Sequence, residues 1–236
     1  MSNPLKSSLV GIIACTASLN SAAIDFSVEI TNLTRGSYFT PLIIAAHPAE
    51  NRLFTSGQPA SLSLQAMAEG GDISGLASDL AGLSATTVEN PVQGLLGPGA
   101  SVSVDLNTDA SPDNTNLSVL SMILPSNDGF IGLNGVNIPD EPGTYIFNVN
   151  AYDSGTEGND EVVGSGEPGQ PGYPAPGPVG EASGSGGTGV TTTEEGFVHI
   201  HRNVIGDTDP NGGVSDIDAT VHRWLNPVAR VVITVN

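Results

Sequence analysis

The chain has 236 residues, 38% of them hydrophobic and only 5% aromatic, with 30 Gly and 17 Pro. That mix excludes a wholly disordered chain and suits one globular domain with long loops. Twenty-five acids stand against six Lys plus Arg, a formal net charge of −19, so the surface repels nucleic-acid phosphates and anionic headgroups and favours cations or basic partners.

The first residues hold one base, Lys6, then the apolar run Leu9 to Ala14, then small residues ending Ser21-Ala22-Ala23. This order of regions is that of a secretory signal peptide over residues 1–23, leaving residues 24–236 as the mature domain, secreted or displayed at the cell surface. The run is too short to span a bilayer as a helix, and no transmembrane segment is expected. Lys6 is the only lysine, so removal of the leader leaves five Arg against 25 acids, a charge of −20. Cys15, the only cysteine, follows Ile12-Ile13-Ala14 and offers an alternative, a lipid-anchored envelope protein acylated at that residue. Neither route yields a disulfide, so stability must come from the core or from bound metal.

Period-two alternation then predicts strands. Phe26, Val28 and Ile30 alternate with polar residues, Leu42 to Ala46 is a short apolar run, and Leu62 and Leu64 alternate with serines. Val102, Val104 and Leu106 alternate again, Leu117 to Leu124 is nearly continuous, and Tyr145, Phe147 and Val149 repeat the pattern. Phe197 to Ile200 and Val228 to Val235 complete about eight strands. Ile73, Leu76, Leu80 and Leu83 recur at helical spacing, with Asp72 or Ser74 as N-cap. The expected fold is therefore all-β, an antiparallel β-sandwich with one short helix. Residues 164–189 hold ten Gly and five Pro and no Leu, Ile or Phe, and are expected as a long, flexible, solvated loop between two strands.

Three acidic loops could carry chemistry: Ser126 to Gly129, Tyr152 to Asp160, and Asp207 to Gly213 continuing to Asp216 and Asp218. Clustered Asp, Asn and Glu on turns are what Ca²⁺ requires, six to eight hard oxygens on a loop free to wrap. The same residues also make ordinary turns, and none of the three is assigned to the twelve-residue calcium loop. His199 and His201 lie two apart on a predicted strand and so share a face; with His47, His222 or an acid they could hold Zn²⁺ or another transition metal. There is no G-x-S-x-G, no H-E-x-x-H and no phosphate-cradling loop, so no catalytic residue is assigned.

Three segments resemble the spondin N-terminal domain. Leu120-Ser-Met-Ile-Leu-Pro-Ser-Asn-Asp-Gly-Phe-Ile-Gly132 is similar to a Pro-Ser-x-Asp-aromatic-x-Gly segment of its animal members. Asn150-Ala-Tyr-Asp-Ser-Gly-Thr-Glu157 resembles their Tyr-Asp-Ala-Gly-Thr-Asp segment, and Asn226-Pro-Val-Ala-Arg-Val-Val-Ile233 their closing strand. Ile30 to Thr34 and Val198 to His201 are similar to bacterial-type members. The resemblance implies an eight-stranded sandwich with a divalent cation, usually taken as Ca²⁺, at one end. It places the ligating aspartates on Asp128 and Asp153 and the following acid on Glu157; Asn127 and Asp160 could add oxygens. Gly129 stands where the family has an aromatic. The expected role is a calcium-binding adhesion or partner-binding module for an extracellular protein or glycan. The alternatives are a metal-dependent enzyme using His199 and His201, or a structural envelope or matrix protein with no small ligand.

Overall fold

The computed structural model describes residues 23–180 and 183–236; Cys15 and all but the last residue of the expected leader lie outside them. Most period-two segments fold as the pattern dictates. In chain order the elements are β1 (Asp25–Asn32), β2 (Tyr38–Phe39), β3 (Ile43–His47), α1 (Leu62–Gly70), α2 (Ser74–Gly82), β4 (Thr86–Glu89), β5 (Ser101–Asn107), β6 (Asn116–Leu124), β7 (Gly129–Asn137), β8 (Gly143–Asp153), β9 (His199–Ile200) and β10 (Ala229–Val235).

The strands follow one antiparallel path, β4-β3-β6-β7-β8-β10-β1-β5, with two-residue strands β2 and β9 added to β6 and β8. The terminal strands β4 and β5 approach each other, so the path folds over into a nearly closed sandwich. Phe26, Val28 and Ile30 of β1 meet Val231, Ile233 and Val235 of β10 and Leu117, Val119 and Ile123 of β6 in the main core. The other face of β6, Leu120, Met122 and Leu124, packs with Leu64, Met67, Leu76 and Leu80 of the helices. β6 is thus buried on both faces, which is why it reads as a continuous apolar run and not an alternating one.

Three elements correct the sequence reading. Leu62 and Leu64, expected in a strand, open α1: the Ser61 hydroxyl caps it by accepting the Leu64 amide at 3.1 Å, and Leu64, Met67 and Ala68 repeat at helical spacing onto the core. There are therefore two short helices where one was expected. β4 and β7 carry little strand signal. In β7, Gly129, Gly132 and Gly135 are poor strand formers, yet Gly132 pairs with both β6 and β8, Gly129 pairs with β8, and Gly135 sits at a bulge where its amide donates to the Ser118 hydroxyl. At Gly132 a Cβ would sit 2.7 Å from the Phe54 ring, so glycine there admits the Phe54–Phe130–Tyr152 aromatic cluster.

Residues 164–189 contain no helix or strand among those described, but the segment is not merely solvated. Tyr173 is 3% exposed within the main core, Val179 packs on the helical side, and the Gly164 amide donates to the Tyr173 carbonyl at 2.9 Å. Burial of these few side chains ties down a glycine-rich chain whose composition alone offered no anchor. Replacing Tyr173 with Ala is expected to lower stability by about 3 kcal/mol in urea unfolding and to speed proteolysis within 164–189. Unchanged stability and protection would show that this docking is dispensable.

Candidate metal centre

β7 begins at Gly129 and β8 ends at Asp153, and these two residues are register partners; Asp153 also pairs with His199 of β9. The sequence therefore delivers Asp128, Asp153 and His199 to one corner from three neighbouring strands. Along β8 the inward positions run Val149, Ala151, Asp153, so the Asp153 carboxylate occupies a site that alternation reserves for an apolar side chain. Asp128 and Asp153 have no exposure at all.

One Asp128 oxygen, Oδ2, accepts from the Ser154 hydroxyl at 2.9 Å and from the Thr156 and Glu157 amides at 2.9 and 3.3 Å. The other, Oδ1, is buried with no hydrogen-bond partner. Burial first, and the neighbouring Asp153 charge second, push the Asp128 carboxyl well above the usual carboxylate range. Asp153 accepts the Gly155 amide on Oδ1 at 2.9 Å and the Asn159 side chain on Oδ2 at 2.8 Å. Two adjacent carboxylates lie out of water here with no permanent cation paired to either among the described residues, an arrangement that either a proton or a cation relieves.

The other acids of the second loop are committed elsewhere. The Asn127 amide donates to Glu157 and Asp160, each at 2.7 Å, and its oxygen accepts the Glu161 amide at 2.9 Å. Glu157 also accepts the Gly172 amide and Asp160 the Val162 amide. Asn127, Glu157 and Asp160 thus form a bracket that holds the 157–163 segment to the sandwich end, beside Asp128 and Asp153 but turned into its own hydrogen bonds.

The histidines converge on Asp153. His199 Nε2 lies 3.5 Å from Asp153 Oδ1 and 3.9 Å from Glu195 Oε1, and His201 Nε2 lies 4.0 Å from Asp153 Oδ2. Their ring nitrogens are used differently. His199 Nδ1 donates to the Ile200 carbonyl at 3.0 Å, which leaves Nε2 facing the carboxylates. His201 Nδ1 accepts the Asn203 amide at 2.9 Å, so its neutral ring carries the proton on Nε2. Burial lowers His201 to about 4, partly countered by Asp153, so this ring is neutral at physiological pH. The same ring explains Gly129: a Cβ there would lie 2.9 Å from His201 Cδ2 and 2.5 Å from Ser126 Oγ. His201 fills the space over a residue that is aromatic in the pattern the segment resembles.

Glu195, which the sequence reading missed, completes a group in which Asp153, Glu195 and His199 offer donor atoms all within 4.8 Å of one another. Its signal was the i, i+4 spacing to His199. His47 and His222 lie elsewhere. His47 is buried on β3 against Ser118 and the Pro48 carbonyl, and His222 follows the Asp218–Thr220 turn. The third acidic loop is also separate. From Asp207 to Asp218 it departs from the twelve-residue calcium loop only in ending on Asp in place of Glu, a near match the sequence reading passed over. Here Asp207 accepts the Asp209, Val214 and Ser215 amides.

A family model described as Spondin_N matches residues 29–171, more than half of the chain. No curated protein matches the sequence. The matched region contains Asn127, Asp128, Asp153, Glu157 and Asp160, whereas Glu195, His199 and His201 lie beyond it.

Burial is the main reason the Glu157 carboxyl rises from 4.5 to about 7, with the Asn127 and Gly172 hydrogen bonds pulling the other way. A carboxyl whose pKa is higher folded than unfolded favours the folded state when protonated. Its contribution is complete below 4.5 and disappears as pH rises through about 7. In EDTA, Glu157→Gln is expected to flatten the pH dependence of the urea midpoint over this window relative to the unaltered chain. Parallel profiles would show that Glu157 does not set it.

Proposed function

The chain belongs to the spondin N-terminal domain family, and from that premise we propose that it is an extracellular partner-binding module whose loop end is locked by one divalent cation at the Asp128–Asp153 corner. The observation that carries this reading is the pair of fully buried carboxylates, one with an oxygen that has no partner. A cation there offsets their mutual repulsion and ties the starts and ends of β7, β8 and β9 together. Calcium is the ion the family resemblance implies. The partner class, an extracellular protein or glycan, fits the surface beside the corner. Phe197 and Ile200 are 43% and 48% exposed on the segment that supplies His199, an apolar rim next to an ordered loop end. No helix among the described residues is long and apolar enough to cross a membrane.

A metal-dependent enzyme is the second reading, favoured by two imidazoles meeting at one carboxylate. It is weakened by burial, since the His201 side chain is 2% exposed and Asp153 is not exposed at all, leaving one edge of the site for a substrate.

Calorimetry after EDTA treatment tests the ion. Saturating cation is expected to raise the melting temperature by about 5–10 °C, the size of a few kcal/mol of linkage in a domain of this length. Asp153→Asn should abolish that rise while leaving the ion-free form as stable or more so, because it removes a buried charge. A melting temperature indifferent to EDTA and to every added divalent ion would overturn the reading.

A further inference from the structure

We propose that the cation at this corner is a zinc-type transition metal held by His199 Nε2, an Asp153 oxygen and a Glu195 oxygen, with Asp128 beside the ligand group and not in it. This rests on the reading of the corner as a cation site, and names its ligands and the class of ion.

Three separate features converge on it. The first is distance. Zinc bonds to nitrogen and oxygen of about 2.0–2.2 Å put tetrahedral ligand atoms roughly 3.3–3.6 Å apart. His199 Nε2 is already 3.5 Å from Asp153 Oδ1 and 3.9 Å from Glu195 Oε1. The second is the orientation of the ring. His199 Nδ1 donates to the Ile200 carbonyl, which turns Nε2 toward the two carboxylates, and Nε2 has no hydrogen-bond partner. A nitrogen facing two anions calls for positive charge between them, a ring proton or a metal ion, and only the metal ion uses all three groups as ligands. The third is the set of polar atoms left over. Glu195 Oε1 is held by Arg202 at 2.8 Å, while Glu195 Oε2 is buried and unpartnered; His201 Nε2, also unpartnered on a side chain 2% exposed, lies 4.0 Å from Asp153 Oδ2.

The donor chemistry selects the ion class. Calcium takes six to eight hard oxygens; an imidazole with two carboxylates suits zinc, manganese or another first-row ion. The oxygens that would build a calcium cage, on Asn127, Glu157 and Asp160, are engaged with one another and with backbone amides. His201 is not a ligand. Its Nδ1 already accepts the Asn203 amide, so ligation through Nε2 would need an imidazolate. It is a positioning residue whose Nε2 proton faces Asp153 Oδ2, while Asn159 and the Gly155 amide orient the same carboxylate. Three protein ligands leave a fourth position for water or a group from a partner. The partly exposed His199 and Glu195 side chains, at 22% and 18%, give the ion its way in.

The test is titration calorimetry of the EDTA-treated full chain with Zn²⁺, Co²⁺ and Ca²⁺ separately, together with the visible spectrum of the Co²⁺ form. Zinc is expected to bind one per chain, and cobalt to give d–d bands of a four-coordinate nitrogen–oxygen site. His199→Ala and Glu195→Gln should each weaken zinc on the order of 100-fold and remove those bands. Far-UV circular dichroism of the ion-free variants confirms that they fold. His201→Gln should weaken zinc by about 10-fold or less and keep the bands. Calcium binding that depends on Asp153 but not on His199, with no zinc site, would overturn this inference and leave the cation reading standing. No binding of any ion would overturn both.

Discussion

Two carboxylates, Asp128 and Asp153, taken wholly out of water side by side are the constraint around which this end of the molecule is arranged. Neither has a permanently charged partner among the described residues. The chain answers the burden with dipoles: a hydroxyl and two amides on Asp128, an amide and a carboxamide on Asp153. These hydrogen bonds fix both groups in place, yet one Asp128 oxygen and the Nε2 of His199 have no hydrogen-bond partner. Burying the pair costs stability at this corner, and a proton on Asp128 or a bound cation offsets that cost.

The rest of the loop end follows from holding those carboxylates still. Asn127 clasps Glu157 and Asp160, and so fixes the turn after β8. Gly155, at φ +70, brings that turn against the backbone of Phe197, and the Gly196 amide donates to the Gly155 carbonyl at 2.9 Å. This contact sets the approach of the 195–201 segment, and with it Glu195 and His199. Farther out, Glu161 accepts the Ile205 and Gly206 amides and the Ser215 hydroxyl, so the third acidic loop is tethered to the same frame without joining the site.

Most of the sandwich could be read from local pattern. β1, β3, β5, β6, β8 and β10 all fall on alternating or continuous apolar runs, because each buries one or both faces in the core. The pattern failed where local signal and tertiary demand disagree. Leu62 and Leu64 alternate with serines like a strand, but the Ser61 cap and the packing of Met67 and Leu76 make a helix. The glycines of β7 argue against a strand, but β6 and β8 pair with the strand from either side, and Gly132 is paired to both.

By itself the sequence determined the fold class, the two aspartates of the corner and the shared face of the two histidines, since each follows from short-range periodicity or from motif order along the chain. Only the tertiary structure brings the histidine pair to the same corner as Asp153, because β8 pairs with β7 and β9 at that residue. It alone supplied Glu195, showed that the Nδ1 atoms of His199 and His201 have opposite hydrogen-bond roles, and gave Gly129 its reason in the ring lying over it. Asp153 meets Glu195 and His199, and Gly129 meets His201, across long stretches of chain, which no local pattern encodes.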